Sequence, residues 1–171
     1  YIERVPMKGN RVRGLSAYEL AHCFAIRKAL ETLAVRYSAS RIQEADIAEL
    51  ENLLGQIEKA RSSLSGETLL AQFFPLIKRF NEVAFGACRS EKILENVWAQ
   101  REIFDRYRVM RLVLPDHIDR SILHRKELCK AFMRHDSEGA SAVWAENLDE
   151  SFAIWREKSG FADQLKDFIF Y

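Results

Sequence analysis

The sequence predicts an all-α protein: an antiparallel bundle of six to seven helices, with a short remnant of β structure ahead of it. Three observations carry that expectation. Apolar residues recur at spacings of three and four through almost the whole chain, the period of a helix that buries one face. Only 7 Gly and 3 Pro interrupt 171 residues, too few for a strand-and-turn architecture. The joints between periodic stretches are short, so consecutive helices should pack side by side in opposite directions.

The elements follow in order. Residues 1–5 and 10–13 are β-tolerant stretches around Pro6-Met7-Lys8-Gly9-Asn10, whose Gly and Asn accept tight-turn angles. They read as a two-stranded ribbon or its remains. Gly14 breaks the chain, and Ser16 with Glu19 three residues on has the form of a capping box. The first helix is expected over about 17–38, carrying Leu20, Phe24, Ile26, Leu30, Leu33 and Tyr37. The second covers about 43–62, with Ile47, Leu50, Leu54 and Ile57.

The third starts after Ser65-Gly66 and runs through Phe73, Phe74, Ile77 and Phe80 to Gly86. Pro75 should kink or delay it, because proline has no backbone N–H to donate. The fourth opens at Ser90, carries Val97, Trp98, Phe104 and Tyr107, and stops before Pro115. The fifth spans about 116–134 and the sixth about 137–158, with Arg134-His135-Asp136-Ser137 supplying a cap between them. A last short piece over 162–171 follows Gly160. Residues 1–14 thus form a remnant and linker, and 15–171 the helical domain.

Composition narrows the function. Hydrophobic residues make up 48% of the chain, enough for a real core, yet no apolar run approaches the roughly 20 residues that span a bilayer. Residues 1–13 lack the apolar centre of a signal peptide. Cys23, Cys88 and Cys129 are odd in number and include no CxxC pair, which argues against a disulfide framework or zinc knuckle and for a reducing cytoplasm. A net charge of +1 gives no general attraction to nucleic acid. The exception is the first 14 residues, where Arg4, Lys8, Arg11 and Arg13 face only Glu3.

In a helical bundle, chemistry is to be sought in polar residues that fall inside the apolar stripes. Arg27, Asn81, Arg101, Arg125 and Asn147 each sit three, four or seven residues from core positions. An unpaired charge buried there is costly, so something must satisfy it. One reading is internal: a salt bridge such as Arg27 with Glu31 one turn on, or snorkelling to water. The other is a shared polar cavity to which several helices each contribute, a usual place for a small-molecule site in a bundle. Guanidinium groups would pair there with a carboxylate or phosphate, which makes an anionic metabolite the expected guest. Catalysis has little support: the chain has no GxSxG elbow, P-loop or HExxH, and His22, His117, His124 and His135 are scattered. Of these only His124 is a site candidate. The chain is expected not to be an enzyme.

The stretch Ala25-Ile26-Arg27-Lys28-Ala29-Leu30-Glu31, followed by Ala34, resembles the opening helix of the FCD domain, the effector-binding half of FadR-type GntR transcription regulators. Residues 2–12 are similar to the end of the winged-helix wing that precedes that domain. Residues 73–94, with Phe80 and a Cys-Arg-Ser turn, look like its third-helix segment, and 125–148 look like its last two helices.

The resemblance implies a bundle that forms homodimers and binds a small, often carboxylate-bearing effector. It implies contact with operator DNA only through a DNA-binding half that this chain lacks. Many members hold a divalent metal with one Asp and three His. The family's Asp-x-x-Phe-His motif falls on Ile77-Lys78-Arg79-Phe80-Asn81, so Ile77 stands for the Asp and Asn81 for the first His. An ungapped alignment puts Arg125 and Asn147 at the other two; a one-residue shift puts His124 in place of Arg125. Neither set makes a metal shell, because isoleucine has no ligand atom and arginine repels a cation. No metal or other cofactor is expected, with Arg125 supplying the positive charge that meets the effector. A metal site using the shifted His124 and a helical scaffold without ligand are the competing readings.

Overall fold

The computed structural model describes residues 2–5, 9–12, 16–106, 115–158 and 163–165. β1 (Ile2–Val5) and β2 (Gly9–Val12) form the expected antiparallel ribbon, with Ile2 opposite Val12 and Val5 opposite Gly9. Six helices follow: α1 (Ala17–Arg41), α2 (Glu44–Ser63), α3 (Gly66–Gly86), α4 (Glu91–Arg106), α5 (Pro115–Met133) and α6 (Ser137–Lys158). Residues 163–165 make a turn; the rest of the expected last piece, and the end of the expected fourth helix over 107–114, lie outside the described residues.

Local chemistry sets the helix ends. The Ser16 hydroxyl accepts from the Glu19 N–H at 3.2 Å, and the Glu19 carboxylate accepts from the Ser16 N–H at 2.7 Å. This reciprocal box satisfies two of the first turn's orphan donors. α1 runs three residues further than its sequence pattern suggests, for a tertiary reason. Ser38 and Ala39 are buried, the Ser38 hydroxyl donates to the Phe85 carbonyl at 3.4 Å, and Arg41 donates to the Cys88 carbonyl at 2.6 Å.

Gly66 opens α3 at φ +56°, a left-handed conformation that strains any residue with a Cβ. α3 then passes through Pro75 without interruption. The Ala71 carbonyl loses its usual donor there, and both residues line an open groove of about 620 Å³ between α2 and α3. Between α5 and α6, His135 adopts φ +50° with its ring Nδ1 at 2.9 Å from the Ala39 carbonyl, and Asp136 caps α6 by accepting from the Gly139 N–H at 2.8 Å.

The helical hairpins α2–α3 and α5–α6 pack around α1, which touches α3, α4, α5 and α6 and has its largest interface with α6. Apolar burial falls into two clusters. The main one joins α1 from Ala34 onward with α2, α3, α5 and the first half of α6, through Phe73, Phe80, Phe85, Phe132 and Trp144. The second joins the start of α1 to the end of α6, where Phe24 packs edge-on to Phe152 with ring centroids 5.0 Å apart and against Trp155 at 5.5 Å. On α1 the one buried residue between Phe24 and Ala34 is Glu31, with Arg27 one turn before it. No described helix is long and apolar enough to cross a membrane.

The three cysteines are free, with Cys88 and Cys129 buried and Cys23 half-buried. Burial first, with the Glu51 carboxylate adding to it, pushes the Cys129 thiol up to about 12, so it is an inert core residue.

Phe24→Ala should cost about 3–5 kcal/mol in a denaturant melt, since Phe24 is fully buried and anchors the second cluster. A loss under about 1 kcal/mol would show that this cluster is not packed as described.

Candidate functional site

The buried polar residues meet where α1, α3, α4, α5 and α6 converge. α1 contributes Arg27 and Glu31 one turn apart, so both reach the same neighbours. Glu31 is fully buried, at 0% exposure. Its Oε1 accepts from Arg27 Nε at 2.6 Å and from Arg101 Nη1 of α4 at 2.6 Å, and its Oε2 accepts from the Trp144 indole N–H of α6 at 2.8 Å. Burial alone would raise the Glu31 carboxyl. The Arg101 and Arg27 guanidiniums, with the hydrogen bonds from Arg27 and Trp144, outweigh it and hold the group below the ordinary range. Glu31 is therefore a carboxylate, and its charge is met. The Arg101 guanidinium also lies over the Phe85 ring at 5.4 Å and the Trp98 ring at 5.7 Å.

Arg125 on α5 is in a different position. It is 3% exposed, and its hydrogen-bond partners are neutral. Nη1 donates to the Ser121 hydroxyl at 2.5 Å and to the Ser121 carbonyl at 3.0 Å; Nη2 donates to Asn81 Oδ1 of α3 at 3.1 Å. Aromatic faces flank it, Phe80 at 5.4 Å and Trp144 at 5.5 Å. Among the described residues no carboxylate lies within salt-bridge distance of it. Its Nε is buried with no partner, and so is the Nδ2 of Asn81. Burial, then the nearby Arg101 charge, pushes the guanidinium down to about 9, with the Glu31 charge resisting. Arg125 stays a cation at neutral pH and has no anion of its own. The Nε and Nη2 side of a guanidinium is the edge that a carboxylate grips with two parallel hydrogen bonds.

Asn147 lies on α6 one turn beyond Trp144, is 7% exposed, and its carboxamide makes no hydrogen bond among the described residues. His124, next to Arg125 in sequence, turns to α6 instead, with Nε2 at 3.1 Å from Glu150, whose other oxygen accepts from Arg120 at 2.9 Å. For Glu150, burial acts upward and is outweighed by the His124 hydrogen bond and the His124 and Arg120 charges, which leave the carboxyl below its ordinary value. His117 lies on the Ser121 and Arg125 side of α5. Burial first, then the Arg125 charge, lowers its pKa from 6.5.

The six expected residues therefore divide. Asn81 and Arg125 touch directly, and Asn147 is on the neighbouring helix face. Arg27 and Arg101 share Glu31, which also takes the N–H of Trp144, the ring that lies 5.5 Å from Arg125. His124 belongs to a separate contact with Glu150. Two residues of the site were not singled out from sequence. Ser121, four residues before Arg125, had a legible spacing; Trp144 read as an ordinary core aromatic, and only its N–H gives it a polar role.

The metal that the resemblance associates with such bundles does not fit here. Its ligand positions hold Ile77, Asn81, Arg125 and Asn147, and a guanidinium at the centre repels a cation. Among the described residues no three His, Cys, Asp or Glu side chains come together as a metal set.

The model of the FCD domain matches residues 22–150, and the chain belongs to that family, the effector-binding half of FadR-type GntR regulators. Among solved structures, E. coli McbR/YncC is similar to it with a TM-score of 0.73 and 21% identity, over 92% of this chain and 77% of that one. No curated protein is a significant match.

The lowered pKa of His117 fixes the sign of a pH effect. The unfolded chain takes up a proton near 6.5 while the folded chain resists it, so this contribution to stability is complete above that value and falls as pH drops through it. Melting temperature should decline over about two pH units around the ordinary His value, from about 7.5 to about 5.5, and His117→Gln should flatten the decline. An unchanged slope in that variant would remove His117 as its source.

Proposed function

We propose that this chain is the effector-sensing, dimerising domain of a bacterial GntR-type transcription regulator, binding a small carboxylate-bearing metabolite inside the bundle and having no enzymatic activity of its own. The observation that carries this reading is Arg125: a guanidinium 3% exposed, hydrogen-bonded only to neutral groups, with its Nε unpartnered beside the unpartnered Nδ2 of Asn81. A buried cation without a counter-ion is unfavourable, and an anionic guest relieves it. The carboxylate takes the Nε and Nη2 edge of Arg125, Asn81 donates from its amide, and Asn147 fixes orientation from α6. Arg125 here does the electrostatic work of the metal in relatives, and no cofactor is needed.

The ribbon of β1 and β2 is the end of a wing, and the DNA-reading surface belongs to a winged-helix domain joined through it. Effector binding shifts the population of dimer geometries, which requires that the ligand bind one geometry more tightly than the other. The protein acts in the cytoplasm, where such a regulator meets its operator. A second copy of the chain is the partner best suited to the outer face of α1, where Tyr18, Ile26, Leu33 and Tyr37 are exposed on one side of the helix. Light scattering should give a dimer for the native chain and a monomer for Leu33→Glu; a dimer in both would move the interface elsewhere.

One observation favours a ligand-free scaffold: Arg27 and Arg101 are already satisfied by Glu31. A thermal-shift screen of organic acids separates the two readings. A true ligand at about 100 times its dissociation constant adds roughly 2.7 kcal/mol of stability. Arg125→Ala should weaken that ligand by about 2–5 kcal/mol, the range for truncating one side of a buried charged pair, while costing the free protein much less. Equal losses in titration and melt would make Arg125 a structural residue, and a screen with no response would favour the scaffold.

A further inference from the structure

We infer that His117 is a second anion-binding residue of this site, and that the guest is a short diacid lying along α5 with one carboxylate on Arg125 and the other on His117. The inference rests on the effector reading above and deepens it by naming the ligand's charge and its far contact.

The charge follows from the guanidiniums. Arg27 and Arg101 are satisfied by Glu31, yet two cations on one carboxylate leave that group positive. Its field reaches Arg125, where the upward effect of Glu31 is smaller than the downward effect of Arg101 alone. Arg125 adds its own charge, with no carboxylate in salt-bridge reach among the described residues. A guest with two negative charges is therefore attracted more strongly than a guest with one, and a low dielectric makes the difference count.

The second contact follows from the register of α5. The Arg125 fork reaches back to the Ser121 hydroxyl and carbonyl, so its guanidinium sits about one turn before its own Cα. His117 lies one turn before Ser121 on the same face, about 6 Å along the axis. It is half-buried, and its imidazole makes no hydrogen bond among the described residues. It also stands in the first turn of α5, the end of a helix that favours negative charge. The other charges nearby are taken. Glu150 of α6 is held by Arg120 and His124, and on the α2 side Arg61 pairs with Asp119 and Glu58 with Lys126. A chain of the length of glutarate or adipate spans the step from the Arg125 edge to this ring.

In the free protein, burial first and then the Arg125 charge favour the neutral imidazole of His117. A diacid cancels that charge and sets a carboxylate against the ring, so the His117 pKa rises on binding and a proton is taken up. Diacid affinity is then greatest below the free-state pKa and falls as pH rises through the bound-state pKa.

The probes are succinate, glutarate and adipate, each against its monomethyl ester, which keeps the chain and loses one charge. They are titrated by calorimetry near neutral pH, in two buffers of different ionisation enthalpy, into the native chain, His117→Gln and His117→Lys. The native chain should favour the best diacid over its ester by about ten-fold or more, the scale of one close charge pair, with proton uptake for the diacid alone. His117→Gln should lose the preference and the uptake while binding the ester as before; His117→Lys should keep the preference without the uptake. Equal affinity for diacid and ester, diacid binding by the native chain without uptake, or a His117→Gln protein with the native preference overturns the inference and leaves the effector reading standing. The two-buffer comparison on the native chain decides alone if the variants do not fold. If none of these probes binds, the inference falls, and the wider screen of organic acids judges the effector reading separately.

Discussion

Placing guanidinium groups inside a helical bundle is the constraint on which the rest of this structure depends. Each must lose its water, and the loss is recovered only by a well-placed acceptor. Glu31 solves the problem for two of them at once. Because it sits on α1, the helix in contact with four of the other five, that one carboxylate ties α1 to α4 through Arg101 and to α6 through Trp144. The polar cluster is therefore part of the packing scheme. It occupies the level of α1 between the two apolar clusters, where Phe24 belongs to one and Ala34 to the other. Arg125 shares the same interior but is excluded from that solution, and its hydrogen-bond partners are neutral.

In the proposed reading a side chain, Arg125, supplies the positive charge that the family resemblance assigns to a metal. A metal ion leaves with chelators or at low pH, when its ligands take up protons. A guanidinium on a helix does neither. It is also directional: Ser121 holds one end of the fork and Asn81 part of the other, so the remaining edge points one way. A spherical ion gives strength with little orientation; this arrangement has orientation built into α5.

Much of the fold was legible because the helical period repeats with few interruptions, and the capping residues stand where the helices begin. The differences have identifiable causes. α1 outran its pattern because Ser38 and Ala39 are buried against the α3–α4 turn, a tertiary contact invisible to periodicity. Pro75 did not stop α3, and it borders the α2–α3 groove together with Ala71, whose carbonyl it leaves without a helical donor. The site was legible in part for the same reason: an arginine at a core spacing is conspicuous in any sequence. Periodicity shows that a polar side chain points inward, but not what it meets. Arg27 with Glu31 could be paired from their spacing, whereas Arg101 reaches the same carboxylate across 70 residues, and no local rule connects them. Trp144 was hidden altogether, since its packing role and its hydrogen bond call for the same residue.

That indole has an optical consequence. Tryptophan emission responds to the electric field along the ring, and Trp144 has a guanidinium 5.5 Å from its ring and a carboxylate on its N–H. An occupant that neutralises one of those charges changes the field at the chromophore without any label being attached. Trp155, in the second cluster with Phe24 and Phe152, sits apart from this cluster and serves as the internal standard. The chain thus carries its own gauge of whether the bundle is occupied.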